Sequence, residues 1–234
     1  MKVAIIQSNY IPWRGYFDII DDVDLFVFYD DVQYTKGDWG NRNKIKTSKG
    51  AAWLTVPVDY SPRQPLKIYE TKIKYCTKWN EEHIRKLHLW YGKAPYFSLY
   101  FEELADLLAQ PFQTISELNV SLCAWLMREL SIDTKTALST QFDCHGTRPE
   151  RLIDLLEKIS ATSYLSGPSA KSYLDEELFR AHKIGLEYKN YDYPSYSQLY
   201  GDFIGEVTVL DLLFNMGPQA PAYLKSRSPN TVVV

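Results

Sequence analysis

Histidine and cysteine, the residues that most often hold metals or move protons, are scarce in this chain, with four His and three Cys among 234 residues. Cys76, Cys123 and Cys144 are far apart and have neither zinc-site nor Cys-x-x-Cys redox spacing, a pattern that suits the reducing cytoplasm. His83 and His88 are five apart on a predicted helix, which excludes the i, i+4 ligand pair of His-Glu-x-x-His. No apolar run approaches the roughly 18 residues that cross a bilayer. The start, Met1-Lys2-Val3-Ala4-Ile5-Ile6-Gln7, carries no long apolar segment with a small-residue cleavage site. An excess of positive charge is missing as well. The 26 Lys and Arg face 29 Asp and Glu, for a formal charge of -3, which argues against a nucleic-acid partner while leaving room for a local basic patch. Gly-x-Gly-x-x-Gly, the Walker loop and the Gly-x-Ser-x-Gly elbow are all absent.

What the chain does have is enough apolar material, 45% of residues, to bury a core within one domain. Val3-Ala4-Ile5-Ile6 and Leu25-Phe26-Val27-Phe28-Tyr29 read as buried strands, and Leu54-Thr55-Val56-Pro57-Val58 as a third that ends at Pro57. Residues 59–76 fit a long surface connection. Helical spacing follows from a Thr77 cap, over Leu99 to Leu108, and most clearly at Ile115, Leu118, Leu122, Trp125 and Leu126. A helix after Pro149 carries Leu152, Leu155, Leu156 and Ile159. A strand at Ser163, a helix from Tyr173 to Phe179, a strand at Gly185 to Tyr188, and a helix from Val207 stopped by Gly217 and Pro218 come next. The alternation predicts an α/β fold: an open, mostly parallel sheet flanked by helices, Rossmann-like, with a helical insertion or subdomain around 77–130. Residues 1–217 are expected to form a single domain and 218–234 a flexible tail.

In open parallel sheets, ligands bind where strands end, and both early strands end in polar groups. After the first come Asn9, Pro12, Trp13, Arg14 and Gly15, where a helix N-terminus and a guanidinium would hold a phosphate. After the second come Asp30, Asp31, Gln33 and Tyr34, then Arg42, Asn43, Lys44 and Lys46. Six acidic residues without a base between Asp18 and Asp31 give way to five basic ones opposed only by Asp38 between Lys36 and Lys49. Such a reversal sets an anion-binding wall against one that orients an amine, a hydroxyl or a hydrated Mg²⁺. Arg42 suits bidentate phosphate binding, and Lys44 and Lys46 act as point charges. Ser166, Gly167, Ser169 and Lys171 form a third candidate, able to close over an anion. His145, in a loop beside Asp143, is a candidate base or metal ligand, with a plain loop hydrogen bond as the alternative. Tyr188, Tyr191, Tyr193, Tyr196 and Tyr200 around Pro194 suit stacking on a sugar or base, or equally a protein interface.

The strings VAIIQSNYIPWRGYFDII, FVFYDDVQYTKGDWGNRNKIK, WLTVPV and YLSGPSAKSYLD resemble the WbqC-like family of bacterial proteins, associated with surface-polysaccharide, lipopolysaccharide and O-antigen biosynthesis. Ser8 stands where the family pattern leads one to expect Pro. The resemblance covers nearly the whole chain and implies a cytoplasmic protein of carbohydrate assembly, acting on an amino sugar before export. Strand, proline-containing loop and helix at 3–20 are also similar to the opening of nucleotidylyltransferase-type domains, but Trp13-Arg14-Gly15-Tyr16 replaces their His-x-Gly-His. The resulting expectation is a transferase that places an acyl or aminoacyl group on a nucleotide-linked amino sugar. In it Arg14, Arg42 and Lys46 neutralise phosphates, Asp30 or Asp31 orients the nucleophile, and Asn9 and Gln33 fix polar ligand atoms. Two alternatives stand beside it: an ATP-dependent ligase or nucleotidyltransferase using Mg²⁺, and a noncatalytic assembly protein whose Tyr-rich region docks a carbohydrate-processing partner. A homodimer is a further candidate state.

Overall fold

Short apolar runs alternating with amphipathic stretches generate a sheet covered on both faces. The computed structural model describes residues 1–146 and 148–234, Arg148 by its backbone alone. Strands β1 (Lys2–Ile6) and β2 (Leu25–Phe28) flank helix α1 (Arg14–Ile20) and pair in parallel. The chain then leaves the sheet for a hairpin, β3 (Arg42–Thr47) and β4 (Gly50–Thr55). Helices α2 (Trp79–Tyr91), α3 (Phe97–Ala109) and α4 (Ile115–Glu129) follow, and β5 (Lys135–Leu138) brings the chain back. The remaining order is α5 (Arg148–Lys158), β6 (Ser163–Ser166), α6 (Glu176–Ala181), β7 (Gly185–Tyr188), α7 (Val209–Met216) and β8 (Thr231–Val232).

In space the main sheet runs β5-β2-β1-β6-β7-β8. Its strands are parallel except for β8, which is antiparallel to β7. Counted by order of appearance, the parallel strands lie third, second, first, fourth, fifth. This is the Rossmann-like order, and the sheet reverses its direction of growth between β1 and β6. Strand alternation divides the core accordingly. Ala4, Phe26, Phe28 and Leu165 join the cluster built on α1, the insertion helices and α7. Val3, Ile5, Val27, Tyr164 and Leu186 join that of α5 and α6. Helix α4 starts in a capping box: the Glu117 backbone N–H donates to Thr114 Oγ1, and the Glu117 carboxylate accepts from the Thr114 N–H.

Several expectations are corrected here. The third strand starts earlier, at Gly50, and lies outside the main sheet as β4, with Pro57 beyond its end. The basic stretch from Arg42, read from the sequence only as anion-binding groups, forms strand β3. Polar residues on both faces hide that strand from an alternation test, because the inward Asn43 satisfies itself on the carbonyls of Tyr10 and Ile11. Helix α2 begins at Trp79, after Lys78 in a left-handed conformation (φ 46°) rather than after a Thr77 cap. Tyr173 and Leu174 precede α6, which is capped by the Asp175 carboxylate accepting from the Glu177 N–H. Residues 218–234, expected as a flexible tail, are packed: Leu224 is buried, the Arg227 N–H donates to the Asp192 carbonyl, and β8 pairs with β7. Their Pro and Ser content suppresses regular structure, but the open edge of β7 offers hydrogen bonds that composition does not reveal.

Candidate functional site

The loop after β1 is held in an unusual shape. Ile11, β-branched and buried, has φ 42°, a costly conformation that persists only where the surroundings impose it. They do so through Asn43 Nδ2, which donates to the carbonyls of Tyr10 (3.2 Å) and Ile11 (2.7 Å), and through the Tyr10 N–H, which donates to the Trp39 carbonyl at 3.0 Å. Asn43, expected to touch ligand, therefore acts as a brace for this loop. Gly15 is required by the Trp13 indole, which a Cβ would meet at 2.3 Å. Asn9 stands half-buried at the strand end.

Arg14, expected to bind phosphate, is enclosed by protein. Its guanidinium donates to the Pro194 and Tyr223 carbonyls and lies 4.8 Å from the Tyr193 ring centroid. Burial lowers its pKa, against the nearby tyrosines and Asp211, which raise it. Lys46 is likewise taken up, donating to Gln198 Oε1 (2.9 Å) and the Asp202 carbonyl (2.6 Å).

Asp30 and Asp31 part company as neighbours on an extended segment must. Asp30 points inward, 1% exposed, and accepts from the Ser8 N–H and the Ser116 hydroxyl. Burial raises its pKa, opposed by those two hydrogen bonds. Asp31 lies at the ends of β2 and β5. There it accepts from the Ser139 hydroxyl at 2.6 Å and from Arg151 of α5. Arg151 also donates to the Cys144 carbonyl and interacts with Tyr29. Burial works against the Arg151 charge, yet Asp31 outweighs it and raises the pKa. The Arg151 side chain remains 24% exposed, so it can meet solvent or ligand while it fixes Asp31.

At the ends of β6 and β7, Ser166 is buried beside the Tyr164 hydroxyl. Gly167 lies under Tyr191, whose hydroxyl a Cβ would meet at 3.0 Å. Lys171 is exposed with its ammonium 5.2 Å from the Tyr188 ring centroid and has no carboxylate partner among the described residues. Gln33 is exposed, and Tyr34 is buried against Tyr60, its phenol pushed up to about 12 by burial. Arg42 lies on the outer face of the hairpin with its Cζ 4.3 Å from the Trp53 centroid. His145 is exposed in the loop before α5, its ring 3.3 Å from Asp143 and its backbone N–H donating to the Asp154 carboxylate.

The fold thus brings Asn9, Asp31, Ser166 and Lys171 to the C-terminal edge of one sheet. The brace residues lie behind that edge, and Arg42 stands on the adjoining hairpin. Sequence reasoning missed Tyr29, Ser139 and Arg151, which lie in three separate parts of the chain and are brought together by β2–β5 pairing and by the packing of α5 on that part of the sheet. Among the described residues no group of three or more His, Cys, Asp or Glu converges as a metal site, and no helix is long and apolar enough to cross a membrane.

The profile of the WbqC-like protein family matches residues 7–223. The chain belongs to the WbqC-like protein family. It is similar to the uncharacterized protein Rv1507c of Mycobacterium tuberculosis, 47% identical over 230 residues that cover 96% of this chain and 97% of the relative. No solved structure matches the chain. The matched span of this WbqC-like chain takes in every strand-end loop described above.

Proposed function

We propose that this WbqC-like protein is a cytoplasmic transferase acting on a nucleotide-linked amino sugar in surface-polysaccharide biosynthesis, placing an acyl or aminoacyl group on the sugar amine. The observation that supports the reading is that Asp31, held by Ser139 and Arg151, follows β2 while Asn9 follows β1 and Ser166 and Lys171 follow β6, all at the strand-end edge of a Rossmann-like sheet whose order switches between β1 and β6.

Lys171 and Arg151 supply cations for the substrate's phosphates. Asp31, held in orientation by Ser139 and Arg151, has lone pairs left to hold the sugar ammonium before reaction. The amine must lose a proton to attack, and water takes it. The neutral nitrogen then forms a bond to the acyl carbon of an activated donor. The bond from that carbon to its leaving group breaks, and the second amine proton passes to solvent. Catalysis in this reading comes from positioning and fixed charge. Arg14, Asn43, Lys46 and Asp30 act from behind by fixing the loops that carry these groups.

The test is retention of ligand by the purified protein from a mixture of nucleotide-linked sugars, ATP and amino acids, read by mass spectrometry. A nucleotide-linked amino sugar should be retained. Lys171→Ala should weaken it about 10-fold, the equivalent of about 1.4 kcal/mol, with an unchanged melting temperature. Retention of ATP alone, or affinity unchanged from the parent protein in both Lys171→Ala and Ser139→Ala, would count against the reading.

A further inference from the structure

The outer face of the β3–β4 hairpin carries an arrangement that folding does not require. Trp39 and Trp53 are 41% and 40% exposed, with ring centroids 5.5 Å apart and planes inclined by 37°. Two cations lie over them: Arg42 on Trp53, and Lys44 at 5.3 Å from Trp53 and 5.8 Å from Trp39. Strand register explains how they meet, since Lys44 is directly opposite Trp53 and Arg42 is two residues away on the same face.

Neither cation has a carboxylate partner among the described residues. Among the described residues Arg42 donates only to the Gly37 carbonyl, and its Nε is buried without a partner. Some exposed cations elsewhere are paired, as Arg128 is with Glu103 and Arg227 with Asp192, and others such as Lys171 are not, so what distinguishes the hairpin is that two such cations lie over one pair of exposed indoles. Here positive charge is left uncompensated beside two open indoles. Indole faces take planar rings such as nucleobases by stacking. An unpaired guanidinium and ammonium next to them take phosphate.

We infer that the Trp39–Trp53 platform, with Arg42 and Lys44, binds a nucleoside diphosphate, the base stacked on an indole and the base-proximal phosphate on the two cations, which leaves the sugar-proximal phosphate of a linked substrate to Lys171 and Arg151. This deepens the transferase reading and rests on it for the identity of the ligand. The platform adjoins the strand-end edge, because the Trp39 carbonyl accepts from the N–H of Tyr10, next to Asn9. A nucleotide held on the hairpin would thus carry its linked sugar towards the β1 loop.

Indole fluorescence of the full-length protein, excited at the red edge of the tryptophan band, is the direct measurement. Titration with uridine, thymidine, adenosine and guanosine diphosphates should give saturable quenching with at least one of them. Uridine, inorganic pyrophosphate and glucose 1-phosphate should each bind at least about 10-fold more weakly, since each offers only part of the chemistry. The Trp39→Ala/Trp53→Ala double variant should lose the quench. Lys44→Ala keeps both indoles and should weaken binding by a similar factor with an unchanged melt, so the result survives if the double variant fails to fold.

Absence of saturable quenching by every diphosphate overturns the inference. So does glucose 1-phosphate binding as tightly as the diphosphates, which would mark a sugar site. The two readings fail separately. A double variant that folds and retains the nucleotide-linked sugar at full affinity removes the platform and leaves the strand-end site. Quenching by free diphosphates without retention of any nucleotide-linked sugar does the reverse.

Discussion

Individual side chains here are sorted by whether their polar atoms are satisfied within the protein. Asp30 and Asp31 are chemically identical neighbours, yet one closes a buried turn through Ser8 and Ser116 while the other is held at the sheet edge by Ser139 and Arg151. The same logic isolates His83. It is 2% exposed, pairs with the Tyr10 hydroxyl at 2.8 Å through Nδ1, and hydrogen bonds to the Thr55 backbone. Burial, aided by Lys86 and opposed by Glu82, lowers its pKa from 6.5 to about 4. The unfolded chain therefore takes up a proton near pH 6.5 that the folded chain refuses until about pH 4. The stability this residue contributes is complete above the upper value and falls by about 1.4 kcal/mol per pH unit between the two. Asp30 and Asp211, whose pKa values burial raises, act in the opposite direction. Comparison with His83→Gln isolates the histidine: urea unfolding at pH 7 and pH 5 should give a smaller loss on acidification in the variant. Equal losses in the two proteins would mean that His83 does not titrate as its burial requires.

Elements meet at a few positions where only one residue fits. Helix α7 ends at Gly217, with φ 53° and ψ -130°, and a Cβ there would lie 2.3 Å from the Tyr96 ring at the start of α3. Gly217→Ala combines backbone strain with overpacking, and should destabilise by roughly 2–4 kcal/mol, read as a lowered urea midpoint. A midpoint within error of the parent would show that α7 and α3 can separate at this contact. The helix itself, its stop at Gly217, and α3, α4 and α5 were all readable from apolar spacing, as were β1, β2, β6 and β7 from short apolar runs. The β3–β4 hairpin was only half readable, because its inward Asn43 breaks the alternation that announces a strand. Asp31 was readable as a strand-end residue. Arg151 and Ser139 were not: they lie 120 and 108 residues away from it in sequence, and nothing local to α5 or to the end of β5 distinguishes their side chains. The missing information is the pairing of β2 with β5 across the whole helical insertion.

On the scale of the whole molecule, the end of the chain is fastened to its beginning. Asp18 of α1 is fully buried. Its carboxylate pairs with Lys189 at 3.0 Å and accepts from the Tyr193 hydroxyl and the Ser226 N–H, each at 3.0 Å. Beside it, Asp22 takes Lys189 at 2.9 Å and the Asn230 amide at 2.8 Å, and Asn230 also reaches Glu187, the partner of Lys2. Buried carboxylates are tolerable only while every such partner is present. The segment beyond Leu224 thereby completes the first βα unit as well as the edge of β7. Deleting 225–234 would strip the Ser226 N–H from Asp18, the Asn230 amide from Asp22 and the β8 ladder from β7. Losing a hydrogen-bond partner of the buried Asp18 charge costs about 1–3 kcal/mol, and the loss at Asp22, whose side chain is 31% exposed, is smaller, so the combined loss should be roughly 2–3 kcal/mol. Because the affected groups belong to α1, β1 and β7 together, the urea transition should shift as a whole and stay a single step by both far-ultraviolet circular dichroism and tryptophan fluorescence. A separate early transition would mean that the terminal segment melts independently of the sheet. An unshifted midpoint would restore the picture of a tail that the fold does not need.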